Sequence, residues 1–370
     1  MKRTMKKMVS MALTGTMAVA VLAGAGTSEV KAADKAKIGV LVADVSGEEA
    51  QGFRSYYENY IAGNYDVEFN YTDALQSAED EKTAIEKFAS QGCQAIISFS
   101  SNDRVQQIET CEKYGVYYAV ASGVLDDAQY ETYKTYEYFA GQVGPGNDTE
   151  FEAGKDMGAY YKEQGVSKVA IYGAFIPNPM HVYRVAGVLN GLGCTYGGES
   201  DMNAIAGQIF QDQTVDLSKV EGDVEVVSYL QGYGDTTTDA FISVGMATTF
   251  FAQSLSEAGI SFSDIDSFTE TNGNSMKNGT LTYLAGKYSS SIGPVFALVM
   301  NAINGNVIRD EDGNAPSISQ GYLVATDSDT FDKYSVSDSG DAPIYDKETL
   351  DSIIGDNVTF EDVKTLVESK

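Results

Sequence analysis

The residues of this chain best equipped for chemistry fall in short polar clusters. These are Asp44, Ser46 and Glu48; Ser101, Asn102 and Asp103; Ser122 with Gly123; Asn178 with His181; and residues 231–235, which read Gln-Gly-Tyr-Gly-Asp. Phe175, Met246, Asn272 and Lys287 complete the set. Carboxylates, amides and hydroxyls of this kind hydrogen-bond a small polar ligand, and the rings of Phe175 and Tyr233 offer faces for its C–H surface. Catalytic machinery does not assemble from the same residues. The single histidine, His181, cannot build a His-rich zinc site, and C-x-x-C, H-E-x-x-H, G-x-x-x-x-G-K-[ST] and G-x-S-x-G are all missing from the sequence. A binding site is therefore expected rather than an enzyme, with no cofactor and no metal.

The elements that position these clusters alternate. Residues 37–42 form an apolar run, a buried strand that ends at Asp44 and feeds a turn and a helix with Phe53, Tyr56, Tyr57, Tyr60 and Ile61 on one face. We place Phe53 in the core. An alternating strand follows at 66–71, then a helix begun by Ser77 and stopped by Gly92, a strand at 93–99, a helix to Tyr114 and a strand at 116–121. Strands alternating with helices imply a parallel sheet, whose ligands bind outside the carboxyl ends of the strands. The clusters lie at those ends.

The acidic, tyrosine-rich stretch 126–138 breaks the rhythm, and 138–143 then reads as the strand leading out of a first lobe. The pattern resumes with strands at 168–172, 224–230, 240–244, 265–269 and 281–285 and with helices at 149–164, 179–192 and 246–258. An amphipathic helix at 293–303 suits a return to the first lobe. Residues 309–314 read as a solvated acidic turn, because no Glu closes them into a calcium loop. The chain ends with a strand at 322–326 and a helix near 360–367.

Composition bounds the whole. Residues 1–32 carry Lys2, Arg3, Lys6 and Lys7 before a run of apolar and small residues that ends Val30-Lys31-Ala32, the pattern of a removed secretory signal. No cysteine follows to take a lipid anchor. The remaining 338 of the 370 residues exceed what one hydrophobic core serves, so two lobes are expected. The formal charge is −28, and residues 1–32 hold five Lys or Arg against one Glu, so the rest carries −32. Nucleic acid and anionic membrane are poor partners for such a surface. Cys93, Cys111 and Cys194 read as small buried thiols rather than a disulfide framework.

Several local patterns carry a resemblance. Tyr138-Phe139-Ala140-Gly141 followed by Glu152-Ala153-Gly154, then Arg184-Val185-Ala186-Gly187, then Asp239-Ala240-Phe241-Ile242 with Ala247 and Ala258-Gly259-Ile260, are similar in order and spacing to the type I periplasmic-binding-protein superfamily. The sugar-binding proteins of ABC importers are the nearest match. The resemblance spans residues 36–330 and implies an α/β fold of two hinge-linked lobes, each a mainly parallel sheet flanked by helices. Residues 36–140 plus about 288–320 would form one lobe, and 141–287 plus about 321–370 the other. It further implies an exported, extracytoplasmic, monomeric protein that closes on a carbohydrate and delivers it to a membrane permease. A ligand-sensing module feeding a receptor kinase, or a binder of a nucleoside or other metabolite with an apolar face, is the alternative. Tyr233 and Lys287 match positions where the family contacts ligand. Two departures stand out: Val182 replaces a sugar-gripping Arg, and Gly245-Met246 replaces an Asn-Asp pair. Both remove groups that bind hydroxyls bidentately.

Overall fold

The structure is a computed structural model that describes residues 35–173, 176–230, 238–338 and 342–370. The signal segment, Phe175, Tyr233 and Asp235 lie outside the described residues. The opening strand, β1 (Ala36–Val42), is buried from Ile38 to Val42. That continuous burial is what a strand covered on both faces requires. It sits inside a six-stranded sheet with β2 (Val67–Ala74), β3 (Ala95–Ser98), β4 (Tyr117–Ala121), β5 (Phe139–Gly144) and β11 (Ser317–Ser319), in the order β2-β1-β3-β4-β5-β11, every pair parallel.

A second sheet repeats the plan. Its strands are β6 (Lys168–Tyr172), β7 (Glu225–Leu230), β8 (Ala240–Ser243), β9 (Ser261–Ser267), β10 (Leu281–Lys287) and β12 (Leu323–Ala325), in the order β7-β6-β8-β9-β10-β12. Only β12 runs antiparallel, against β10. In both sheets the second strand lies to one side of the first and the third to the other. The chain direction therefore switches between β1 and β3 and between β6 and β8, and a crevice opens at such a point.

Local signals place the helices. Ser77 caps the helix Ala78–Ser90 by accepting from Asp80 N, Asp103 caps Arg104–Tyr114 by accepting from Gln106 N, and Gly115 ends the latter in the left-handed conformation. Helix Gly293–Ile303 is buried at all but its last residue and packs across β3, β4 and β5, which is the expected return to the first lobe. The helices Asn147–Glu163 and Pro179–Gly191 meet backbone to backbone. A Cβ on Gly154 would stand 2.0 Å from the Arg184 carbonyl oxygen, and one on Gly187 2.0 Å from that of Phe151. The glycines of the two family-like patterns therefore face each other.

Three differences from the expected organisation have clear causes. The break at 126–138 contains a helix, Asp127–Tyr133, held by a capping box between Asp126 and Gln129. β5 extends to Gly144, so the chain leaves the first sheet there and not at residue 140. Residues 345–370, expected with the second lobe, lie against the first. Tyr56 Oη donates to the Tyr345 carbonyl at 2.6 Å, and Asn301, on the return helix, donates to Ile353 O and accepts from Gly355 N, each at 2.8 Å. The three cysteines are free and buried, and the 309–314 turn is closed by Asp310, which accepts from Asp312 N and Asn314 N.

Candidate functional site

Between the two sheets lies a cavity of about 910 Å³. The first lobe contributes Phe99 and Ser101 to Arg104, beyond β3, and Ser122 to Asp127, beyond β4; the second contributes Asn178 to Met180 and Tyr183. Its lining is acidic. Asp103, Asp126, Asp127 and Asp148 line it, and Asp127 and Asp148 lie close enough to Tyr183 to help burial raise that phenol's pKa. A second cavity of about 170 Å³ opens between Glu48, Glu49 and Phe53 of the first lobe and Ser267, Thr269 and Lys287 of the second. Phe53 and Phe99 stack with ring centroids 5.3 Å apart, one ring edging each cavity. Phe53 is only 6% exposed, in keeping with its core assignment, whereas Phe99 is a half-buried face that the periodicity did not single out.

The polar clusters are built in different ways. Asp44 is exposed but occupied by its own turn, accepting from Ser46 N, Ser46 Oγ and Gly47 N at 2.9 to 3.0 Å, and those donors hold its pKa below the ordinary carboxylate value. Ser46 shares that turn, and the exposed Glu48 edges the smaller cavity. Ser101 and Asn102 line the larger one. Asn102 is tied down by Glu81, a buried carboxylate that accepts from Ser100 Oγ, Asn102 N and Nδ2, and Asp103 N. Asn178 caps its helix by accepting from Met180 N and also faces the larger cavity.

The remaining second-lobe residues lie deeper. His181 is 3% exposed, and burial together with the charges of Arg184 and Lys287 pulls its pKa down to about 3, so the imidazole is neutral. It adjoins Gly245, whose added Cβ would stand 3.3 Å from His181 Cε1. Met246 caps helix Ala247–Ala258 at φ 68°, and Ser122 follows β4 at φ 55°; both are non-glycine residues in the left-handed region beyond a strand's carboxyl end. Asn272 is fully buried and donates to the Ser267 carbonyl at 2.7 Å, so it shapes the β9 loop. Lys287 is half-buried, with Nζ 3.1 Å from Glu49 Oε2 of the other lobe.

Three further groups escaped the sequence reading. Glu150, on the helix that crosses between lobes, pairs with Arg184: Nε to Oε2 is 2.6 Å and Nη2 to Oε1 3.2 Å, with Tyr322 Oη donating to both carboxylate oxygens. Asp264 and Asp266 lie in the second half of β9, and burial pushes up the pKa of each. Arg104 lines the larger cavity as a cation. Acids two residues apart on a strand share one face, which the spacing could have revealed; the other two depend on distant partners.

Comparison with protein-family models and with curated proteins gives no match. Solved structures do match, at low identity. The periplasmic solute-binding protein of an ABC transporter from Actinobacillus succinogenes 130z, with bound D-allose, has a TM-score of 0.62 and 15% identity, covering 81% of this chain and 100% of that one. The periplasmic component of the arabinose ABC transporter from Shewanella sp. ANA-3, bound to L-arabinofuranose, has a TM-score of 0.57 at 15% identity, covering 80% and 94%. A solute-binding protein of an ABC transporter from Bacillus halodurans C-125, with myo-inositol, gives 0.57 at 15%, covering 82% and 98%. The likeness is one of fold. The chain has the two-lobed α/β architecture of periplasmic binding proteins, as its sequence patterns implied.

Proposed function

We propose that this protein is an extracytoplasmic solute-binding protein of an ABC importer, which takes a sugar or sugar-like polyol between its lobes, closes about the hinge and presents it to a membrane permease. One observation carries the reading: the larger cavity is walled by strand ends of the first lobe and by helix residues of the second, so a ligand there touches both lobes and favours the closed arrangement. The low-identity neighbours with bound arabinose, allose and myo-inositol support the ligand class. The basic, then apolar, leader supports export, and the strongly negative charge supports a protein that binds neither nucleic acid nor anionic lipid. In this reading the protein works as a monomer, without cofactor, metal or catalysis. Ser101 and Asn102 of the first lobe and Asn178 of the second frame the ligand in that cavity, Glu48 and Lys287 edge the smaller cavity, and Asp44, Ser46 and His181 act from outside both linings.

The test is to identify by mass spectrometry what copurifies with the protein, then to titrate arabinose, allose and myo-inositol calorimetrically while following compaction by X-ray scattering. Saturable binding with a smaller radius of gyration is expected. Turnover of any of these compounds, or no binding and no compaction with any, overturns the proposal.

A further inference from the structure

Arg104 is the one basic side chain lining the larger cavity, and the described residues give it no ion pair and leave its hydrogen-bonding incomplete. It opens helix Arg104–Tyr114 at the end of β3 and reaches across the end of β4. Nη1 donates to the Val124 carbonyl at 2.6 Å. Nη2 lies over Gly123, 3.1 Å from where a Cβ would be. Nε is buried with no hydrogen-bond partner among the described residues. The adjacent acids are engaged elsewhere: Asp103 accepts from Gln106 N, and Glu81 accepts from the Ser100 to Asp103 turn. Burial lowers the arginine's pKa, and the nearby Tyr118 and Glu81 only oppose that shift. A guanidinium presents five donors in a planar fork suited to paired oxygens, and a buried cation with open donors is costly unless something accepts from them.

We infer that Arg104 is a ligand-gripping residue, and that the group it grips is a pair of adjacent hydroxyls on an uncharged polyol. This rests on the sugar-binding reading above and goes beyond it by naming the residue and the ligand group. The choice of a neutral group over a carboxylate follows from the surroundings. Asp103, Asp126, Asp127 and Asp148 line the same cavity, and an anion would approach against their combined field. Hydroxyls escape that repulsion and can donate in turn to those acids. The bare backbone of Gly123 is part of the device, because a side chain there would press on Nη2. The position also fits what the second lobe lacks: with Val182 and Gly245-Met246 in place of polar grips, a first-lobe arginine supplies bidentate donors.

The experiment is calorimetry on the exported protein with arabinose, allose, myo-inositol, glucuronate and galacturonate, for wild type, Arg104→Lys and Arg104→Met. Arg104→Lys keeps the charge and guards against misfolding, which thermal melting monitors. Wild type is expected to prefer a neutral polyol, with affinity falling roughly tenfold or more in Arg104→Lys and further in Arg104→Met. A deoxy analogue of the bound polyol lacking one of the paired hydroxyls should lose most of its dependence on residue 104. If folded Arg104→Lys and Arg104→Met bind the same polyol as tightly as wild type, the arginine's role is overturned while sugar binding stands. If a uronate binds best and its affinity depends on Arg104, the uncharged-diol assignment is overturned. If wild type binds no sugar, neutral or acidic, both this inference and the broader reading fall.

Discussion

Glu49 and Lys287 join the two lobes at one edge of the crevice, Oε2 to Nζ at 3.1 Å, and Ser267 Oγ donates to the same oxygen at 3.2 Å. Glu49 belongs to the helix after β1, and Lys287 ends β10. Both side chains are partly exposed, so their contribution to folding is about 0–1 kcal/mol. Their contribution to lobe geometry is the larger effect, because the pair ties the helix after β1 to the end of β10. Glu49→Gln and Lys287→Met are each expected to enlarge the ligand-free radius of gyration, with little change in melting temperature. Added salt should move wild type toward the variants. A radius unchanged in both variants would show that the pair does not restrain the lobes.

Arg184 and Glu150 form a different kind of pair, buried to 2% and 3% exposure and completed by Tyr322 Oη and the Val244 carbonyl. Removing one member leaves the other charged and desolvated, which costs about 3–5 kcal/mol. Arg184→Met should therefore lower the urea midpoint strongly. The double variant Arg184→Met, Glu150→Gln should be less damaged than the sum of the two single changes. Strict additivity would argue that the two groups do not interact.

Glycines divide by what surrounds them. Gly154→Ala and Gly187→Ala place a Cβ 2.0 Å from a backbone carbonyl oxygen in the facing helix, which cannot move aside as a side chain can. Each should abolish folding or separate the helices at a cost of several kcal/mol, of the order seen for severe overpacking. Gly207, inside helix Met202–Asp212, has nothing within 4 Å of its added Cβ. Gly207→Ala should stabilise the protein by about 0.5–1 kcal/mol, seen as a higher urea midpoint.

What could be read from the chain alone follows the range of the interactions involved. β1, the cap at Ser77 and the helix end at Tyr114 each depend on residues a few positions apart, and they are legible in the sequence. The helix Asp127–Tyr133 carries no buried residue, so apolar periodicity had nothing to detect, although the Asp126–Gln129 capping box is a local signal that could have found it. The tail was misplaced because its docking depends on Tyr56 meeting Tyr345, 289 positions away. The site shows the same division. Strand ends marked where a ligand would lie, but whether Asp44 faces a ligand or its own turn, and whether Arg104 has an acid to pair with, depends on geometry that sequence spacing does not encode.

Asp264 gives the last prediction, a dependence of stability on pH. Its carboxylate is fully buried, accepting from Ser243 Oγ at 3.0 Å, Thr248 N at 2.9 Å and Ile265 N at 3.1 Å. Burial, reinforced by the neighbouring Asp266 charge, pushes its pKa up to about 8 from an ordinary 3.8. The folded protein therefore retains a proton that the unfolded chain releases, and stability falls as pH rises toward and through 8. His181 acts in the opposite sense: with its pKa drawn down from 6.5 to about 3, it removes stability as pH falls below 6.5. Above pH 6.5 the histidine is mostly neutral in both states, so the interval from 6.5 to 8.5 separates the histidine from the Asp264–Asp266 pair, whose two carboxyls are both pushed up by burial. Urea midpoints of the wild type should decline across that interval. Asp264→Asn, which keeps an oxygen acceptor and cannot ionise, should flatten the decline and exceed wild type at pH 8.5. A wild-type midpoint that is level from 6.5 to 8.5 would mean that Asp264 is ionised in the folded protein throughout.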